Sequence, residues 1–190
     1  MLVLGISGSL RRDSHNTRLL RAAGEVVEER GAEFEIFDGL KAIPPYDADD
    51  DLGLGPEPVR ALREAISEAD AVLIATPEYN ASLPGVLKNA LDWASRPHAT
   101  NPLRGKPAAV VGASTGMFGA VWAQSDARKI LSTIGARVVD RELPVPEAAE
   151  RFDADGMLRD PEVEAQLSEL LADLAEAVEA REAALARAAA

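Results

Sequence analysis

The chain has 190 residues, 47% of them hydrophobic, with two histidines and no cysteine; 32 acidic residues against 20 basic ones give a formal charge of −12. That length suits one domain with a sizeable core. The charge would repel a phosphate backbone and argues against nucleic acid as a partner, and the lack of cysteine excludes disulfides, thiolate nucleophiles and cysteine-held metal centres.

Residues 2–7 are apolar and stop at Gly8, as in a buried strand, and Leu19, Leu20, Ala23, Val26 and Val27 then recur at helical spacing up to Gly31. Between strand and helix lies Gly8-Ser9-Leu10-Arg11-Arg12-Asp13-Ser14-His15-Asn16-Thr17. Glycine permits a tight turn there, and Ser14, Asn16 and Thr17 fall where a helix begins with its first amides unpaired, a natural seat for an anion. Arg11 or Arg12 would complete the cage, although an ordinary N-cap by Asp13 or Ser14 beside two solvated arginines accounts for these residues equally well. No basic and apolar leader precedes the first strand, and no apolar run approaches the ~18 residues needed to cross a bilayer, so the expectation is a cytoplasmic protein with no membrane partner.

Glu33–Phe37 alternates apolar and charged residues as a second strand, and a long loop with Pro44, Pro45 and the acidic run Asp47 to Asp51 follows, expected to be exposed. A helix over residues 57–69 carries Val59, Leu62 and Ile66 on one face, and residues 71–75 form a continuous apolar run typical of a central parallel strand. After Thr76-Pro77 and a loop, Pro84 opens a helix with Val86, Leu87, Ala90, Leu91 and Ala94 on its apolar face, ending before Pro97. Residues 108–113 are a further buried strand, followed by the turn Ser114-Thr115-Gly116-Met117-Phe118-Gly119 and a helix to about Ile134. Arg137 to Arg141 reads as a fifth strand, residues 144–160 as loop, and Pro161 as the start of a last amphipathic helix. Residues 1–182 are read as a single domain and 183–190 as a frayed, Ala/Arg-rich tail.

Five strands alternating with five helices imply an α/β fold: a doubly wound, five-stranded parallel sheet in three α/β/α layers, with order 2-1-3-4-5. Ligands bind such sheets beyond the carboxyl ends of the strands, where the order reverses, and the loops after strands one, three and four meet there. Flavin mononucleotide fits this layout: Ser9 to Thr17 for the phosphate, and Pro77-Glu78-Tyr79-Asn80 facing Ser114-Thr115-Gly116 across a slot for a flat ring, with Gly116 and Gly119 permitting close approach. Tyr79 as a core tyrosine and Asn80 as a turn former are the bland alternatives.

Other motifs fail. Gly112-Ala113-Ser114-Thr115-Gly116 matches a hydrolase nucleophile elbow, but that fold needs a histidine after the serine, and His15 and His98 both precede it. Neither a G-x-G-x-x-G fingerprint nor a P-loop is present. The Asp47-x-Asp49-x-Asp51 run has Leu52 where an EF-hand needs glycine and Pro58 where it needs glutamate. No metal is assigned to it or to either histidine.

The three loops resemble those of the NAD(P)H-dependent FMN reductases with a flavodoxin-like fold, a family that includes quinone, azo-compound and chromate reductases. The likeness covers roughly residues 2–139. Its most specific segments are Gly8 to Thr17, Thr76 to Asn80 continuing through Pro84-Gly85 and Lys88-Asn89-Ala90 to Asp92-Trp93, and Gly105-Lys106-Pro107 leading to Ser114, Gly116 and Gly119. It implies that Ser9, Arg11, Ser14, Asn16 and Thr17 bind the FMN phosphate and ribityl chain and that Pro77, Glu78, Tyr79 and Asn80 meet the flavin edge. Ser114 and Gly116 would lie on the opposite side, with Thr115 and Gly119 in the same loop. It implies hydride transfer from NADPH or NADH to the flavin and on to a quinone, azo compound or free flavin, with no dedicated catalytic side chain, in a homodimer that could pair further into a tetramer. The chain departs from the pattern of many chromate and quinone reductase members at Ala81, where they carry tyrosine, at Trp122, where they carry arginine, and at Ser125, often a tyrosine in them, which bears on substrate class and assembly. A flavodoxin-like electron carrier without nicotinamide turnover is the rival reading.

Overall fold

In the computed structural model, which describes residues 1–53 and 55–189, three strands form the centre of the sheet. These are β1 (Leu2–Ser7), β3 (Ala71–Ala75) and β4 (Pro107–Ala113), and their residues are buried almost without exception because helices cover both faces. β2 (Glu33–Phe37) pairs with β1 at the edge and keeps its alternation, Glu33 and Glu35 facing water. With β5 (Arg137–Val138) the parallel order is β2-β1-β3-β4-β5, the flavodoxin-like order expected.

Two hydrophobic clusters lie on opposite faces of this sheet. Helices α1 (His15–Glu29) and α6 (Pro161–Ala189) pack on one side through Leu19, Leu20, Leu167, Leu170 and Leu174. Helices α2 (Glu57–Glu68), α3 (Gly85–Ala94) and α4 (Val121–Ile134) pack on the other through Leu62, Ile66, Leu87, Trp93 and Leu131. α6 continues as helix through the stretch expected to fray, its last buried residue being Val178.

Beyond β4 the structure departs from the sequence reading. The expected strand Arg137 to Arg141 lasts two residues beside Pro107 and Ala108; the chain then leaves the edge and returns as a sixth strand, β6 (Leu143–Val145), opposite Val111 to Ala113. Asp140-Arg141-Glu142 causes the break, because Arg141 turns outward to Asp173 and Glu169 of α6, at 2.6 and 2.8 Å. Pro144 has no N–H to donate and is tolerated on an edge. A short helix, α5 (Ala148–Arg151), follows within what read as loop, with Ala148 and Phe152 buried. The acidic loop is also less exposed than expected. Residues 47–50 face water, but Leu40 and Ile43 are buried, Tyr46 packs edge-on to Trp93, and Asp51 pairs with Arg63 at 2.9 Å.

At the amino end of β4, Lys106 is buried, and its Nζ donates to the Ser67 carbonyl at 3.1 Å and to that of Ala69, capping the carboxyl end of α2. Burial pushes its pKa down from 10.5 to about 8, Arg181 adding to the fall and Asp70 opposing it. Between those two values the unfolded chain binds more protons than the folded one, so this residue's contribution to stability rises with pH. Urea unfolding should show the wild type gaining stability relative to Lys106→Met as pH rises from about 8 to 10.5. A constant difference between the two proteins would show that the buried lysine does not titrate in that window.

Candidate active site

At the carboxyl edge of the sheet, three loops enclose a cavity of about 240 Å³. Ser9, Arg11 and Ser14 line it from the loop after β1, His15 and Asn16 from the first turn of α1, Pro77, Glu78 and Tyr79 from the loop after β3, and Ala113, Ser114 and Thr115 from the end of β4. The first loop turns sharply: Gly8 N donates to the Ala75 carbonyl at 2.8 Å, and a Cβ on Gly8 would stand 3.0 Å from Leu87 and 3.3 Å from Pro77. Ser14 then caps α1, its hydroxyl accepting from Asn16 N at 3.2 Å. The amides of Arg12, Asp13, His15 and Thr17 make no hydrogen bond to another described residue, so a set of donors faces outward at the positive end of the helix. Arg11 bends back, Nη2 donating to the Asp13 carbonyl at 2.9 Å.

The second loop is held by its side chains. α4 begins after Ala120, which sits at φ 63 and supplies no cap. The Glu78 carboxylate does so instead, Oε2 accepting from Trp122 N at 3.0 Å and Ala123 N at 3.2 Å. The helix dipole thereby offsets the charge of Glu78, leaving the backbone of residues 77–80 and the half-exposed Tyr79 ring for a ligand. Tyr79 and Ser82 exchange backbone hydrogen bonds of 3.0 and 3.2 Å around Asn80 and Ala81, at φ 54 and 58. Positive φ at both central residues defines a tight hairpin turn, which Asn80 suits and Ala81 adopts at a cost of about 1 kcal/mol.

Residues 1–150 match the family described as NADPH-dependent FMN reductase. The chain belongs to that family. The NAD(P)H-dependent FMN reductase of Pseudomonas aeruginosa is 47% identical over 160 residues, covering 83% of this chain and 84% of that protein. A 2-hydroxy-1,4-benzoquinone reductase from a Burkholderia species is 41% identical over 152 residues, covering 80% and 81%. Among solved structures, the flavoenzyme NAD(P)H:(acceptor) oxidoreductase FerB of Paracoccus denitrificans aligns with a TM-score of 0.84 at 37% identity, over 95% of this chain and 98% of that one.

In this member of the FMN reductase family, Ser9, Arg11, Ser14, Asn16, Pro77, Glu78, Tyr79, Ser114 and Thr115 meet at one cavity, while Thr17, Asn80, Gly116 and Gly119 lie outside its lining. Thr17 stands behind the loop, its hydroxyl 2.9 Å from that of Ser7. Gly119, at φ 58, is bare for another reason than ligand approach: a Cβ there would come within 2.6 to 2.8 Å of the backbone of Pro144, Val145 and Pro146. Gly116 is open on its own side, with nothing nearer than Ser114 Oγ at 3.6 Å. Its carbonyl accepts from Glu147 N and that of Ser114 from Ala148 N, so α5 and the residue before it prop the third loop. Buried Gln124 pins the same loop, Nε2 donating to the Gly119 carbonyl at 3.1 Å and Oε1 accepting from Leu143 N at 3.2 Å. Sequence reasoning missed Gln124, because a lone polar residue on a helix carries no signal of burial. Met117, Phe118 and Trp122, on the third loop and at the start of α4, are exposed apolar side chains, the last two edge-on with ring centroids 4.9 Å apart.

Asn16 joins the first loop to the third. Its Nδ2 donates to the Ala113 carbonyl and its Oδ1 accepts from the Ala113 amide, both at 2.9 Å and both buried. Asn16→Ala leaves two buried backbone groups unpaired and should cost about 2–4 kcal/mol. Urea denaturation measures this, and a loss below ~1 kcal/mol would mean that the clasp is not holding the loops together.

Proposed function

We propose that this chain is an FMN-dependent oxidoreductase that takes hydride from NADPH or NADH and passes the electrons to a quinone, azo compound, free flavin or similar small acceptor. The observation that carries this reading is the three-loop cavity, an anion cradle at one end and backbone-walled at the other, in a chain of this family. Ser9, Ser14, Arg11 and the open amides of the first loop would hold the phosphate. Arg11 donates to the neutral Asp13 carbonyl, and a phosphate in its place would give a charge-assisted contact. Asn16 and Thr17 serve that grip by fixing the loop from behind. The backbones of Pro77 to Asn80 and Ser114 to Gly116 would border the ring, with the amides of Glu78 and Thr115, unpaired to other described residues, positioned to stabilise negative charge at its edge. FMN, when bound, supplies the two-electron chemistry, so the protein needs to provide no nucleophile. Met117, Phe118 and Trp122 would wall the entrance and favour flat, weakly polar acceptors.

The same reading makes the chain a homodimer. Leu10, Tyr79, Val86, Met117, Phe118 and Trp122 are exposed large side chains on the loops and helices that carry the cavity, which fits an apolar surface awaiting a partner copy. A cytoplasmic setting belongs with it, in keeping with the lack of cysteine and with no helix, among the described residues, long and apolar enough to cross a membrane.

Protein loaded with FMN and freed of unbound flavin should bleach in the visible when NADPH or NADH is added without oxygen, and recover when a quinone follows. Bound flavin that stays oxidised with both donors would make the protein an electron carrier, and no bound flavin would end both readings. In the same preparation Arg11→Ala should weaken FMN binding by about 1.5–3 kcal/mol while leaving riboflavin binding unchanged. Light scattering should report a dimer for the wild type and a monomer for Trp122→Glu; a monomeric wild type that turns over would remove the dimer from this account.

A further inference from the structure

His15 is the first residue of α1 and lines the cavity beside Ser9, Arg11 and Ser14. Its ring stacks on Phe152, with centroids 5.9 Å apart and planes at 25°. Its Nδ1 is buried without a hydrogen-bond partner, the one side-chain atom so placed among the described residues. For stacking alone phenylalanine would serve as well, so the unpartnered nitrogen at the cavity is the feature that stacking does not account for.

The charges acting on His15 are of one sign. Arg11 comes from the loop and Arg18 from the next turn of α1, and the helix amides add their positive end. From the opposite side α5 is followed by the Phe152 ring, and the nearby Asp153 carboxylate is engaged by Arg159 at 2.7 Å and by the amides of Asp155 and Met157. Burial, then Arg11 and Arg18, push the imidazole below its ordinary 6.5, which keeps it neutral at neutral pH. An anion in the cradle reverses that balance. A phosphate monoester brings about −1.5 to −2 charges and strong acceptor oxygens, and so supplies what the protein alone withholds from the ring.

We propose that His15 is a further phosphate-binding residue of this site, one that takes up a proton from solvent as the FMN phosphate binds. The inference rests on the flavin reading above. It has a thermodynamic sign of its own: at pH 7 a minor fraction of a phosphate monoester still carries its last proton, its pKa being about 6, so binding by arginines and amides alone releases protons. Binding through His15 takes them up.

Calorimetric titration of the full chain, stripped of flavin, with FMN at pH 7 in buffers of different ionisation enthalpy counts the protons exchanged. The wild type should take up a net fraction of a proton, less than half, per FMN, His15→Phe should release a small fraction, and riboflavin should exchange none. Release by the wild type equal to that of His15→Phe would overturn the proposal. The chain has only two histidines, so both imidazoles can be followed by NMR without any variant. FMN should raise the proton affinity of His15 about tenfold and leave exposed His98 unchanged. An unmoved His15 would overturn the proposal even where FMN binds tightly. If FMN does not bind, the flavin reading fails. Inorganic phosphate titrated against the same two signals then judges His15 alone, a rise supporting an anion-linked imidazole and no change refuting it.

Discussion

A parallel sheet delivers its strands to one edge but does nothing to hold together the loops that leave them. In this chain the carboxamide of Asn16 supplies that restraint, pairing with both backbone polar groups of Ala113, 97 residues away. The clasp reaches from the loop after β1 to the end of β4, past the β3 strand between them. It also satisfies the amide and carbonyl at the last residue of β4, a position where the ladder would otherwise leave them open. Glu78 braces the remaining loop by sitting on the first amides of α4, and Gln124 ties that helix back to β6. Each brace links elements that the sheet alone would leave independent, and so the cavity has fixed walls before any ligand arrives.

The long loop before α2 shows the same economy. Pro44, in the long acidic loop, offers one carbonyl to two donors from α3, Asn89 Nδ2 and Trp93 Nε1, both at 2.8 Å, while Asn89 Oδ1 accepts from Tyr46 N. Trp93 is fully buried, so its N–H required a partner in any case. The loop is thereby held close to the helix that follows Pro84, and the second wall of the cavity gains a rigid base. The proposed use of His15 belongs to this pattern in reverse: the one buried side-chain nitrogen without an internal partner among the described residues sits where a ligand would come.

The central strands were legible because unbroken apolar runs such as residues 71–75 and 108–113 have few other uses, and their order follows from the right-handed crossover. The three loops were legible as a group for the same reason, since topology sends them to one edge. The edge beyond β4 was not. Leu143, Val145, Ala148 and Phe152 are too few, and too interrupted by proline and charge, to show a period, and their burial comes from α6 and β4 rather than from any local signal. Individual roles were hidden as well. Asparagine can bind a phosphate or mimic a strand, and glutamate can face a ring or cap a helix; the choice lay with partners 97 and 44 residues distant. Gly119 looked like a point of ligand approach, whereas the backbone that fills its empty side belongs to a strand the sequence did not announce.

The broken edge has a consequence for the life of the protein in a crowded solution. A long, flat outer strand presents a row of free amides and carbonyls on which another chain can grow. Here that border is cut into segments of two and three residues, with charged residues between them and Pro144 within the second. The other border is a five-residue strand with Glu33 and Glu35 exposed, which repel a like neighbour. Neither margin can serve as a template for edge-to-edge aggregation, so exposed Met117, Phe118 and Trp122 can meet a partner without inviting the sheet itself to polymerise.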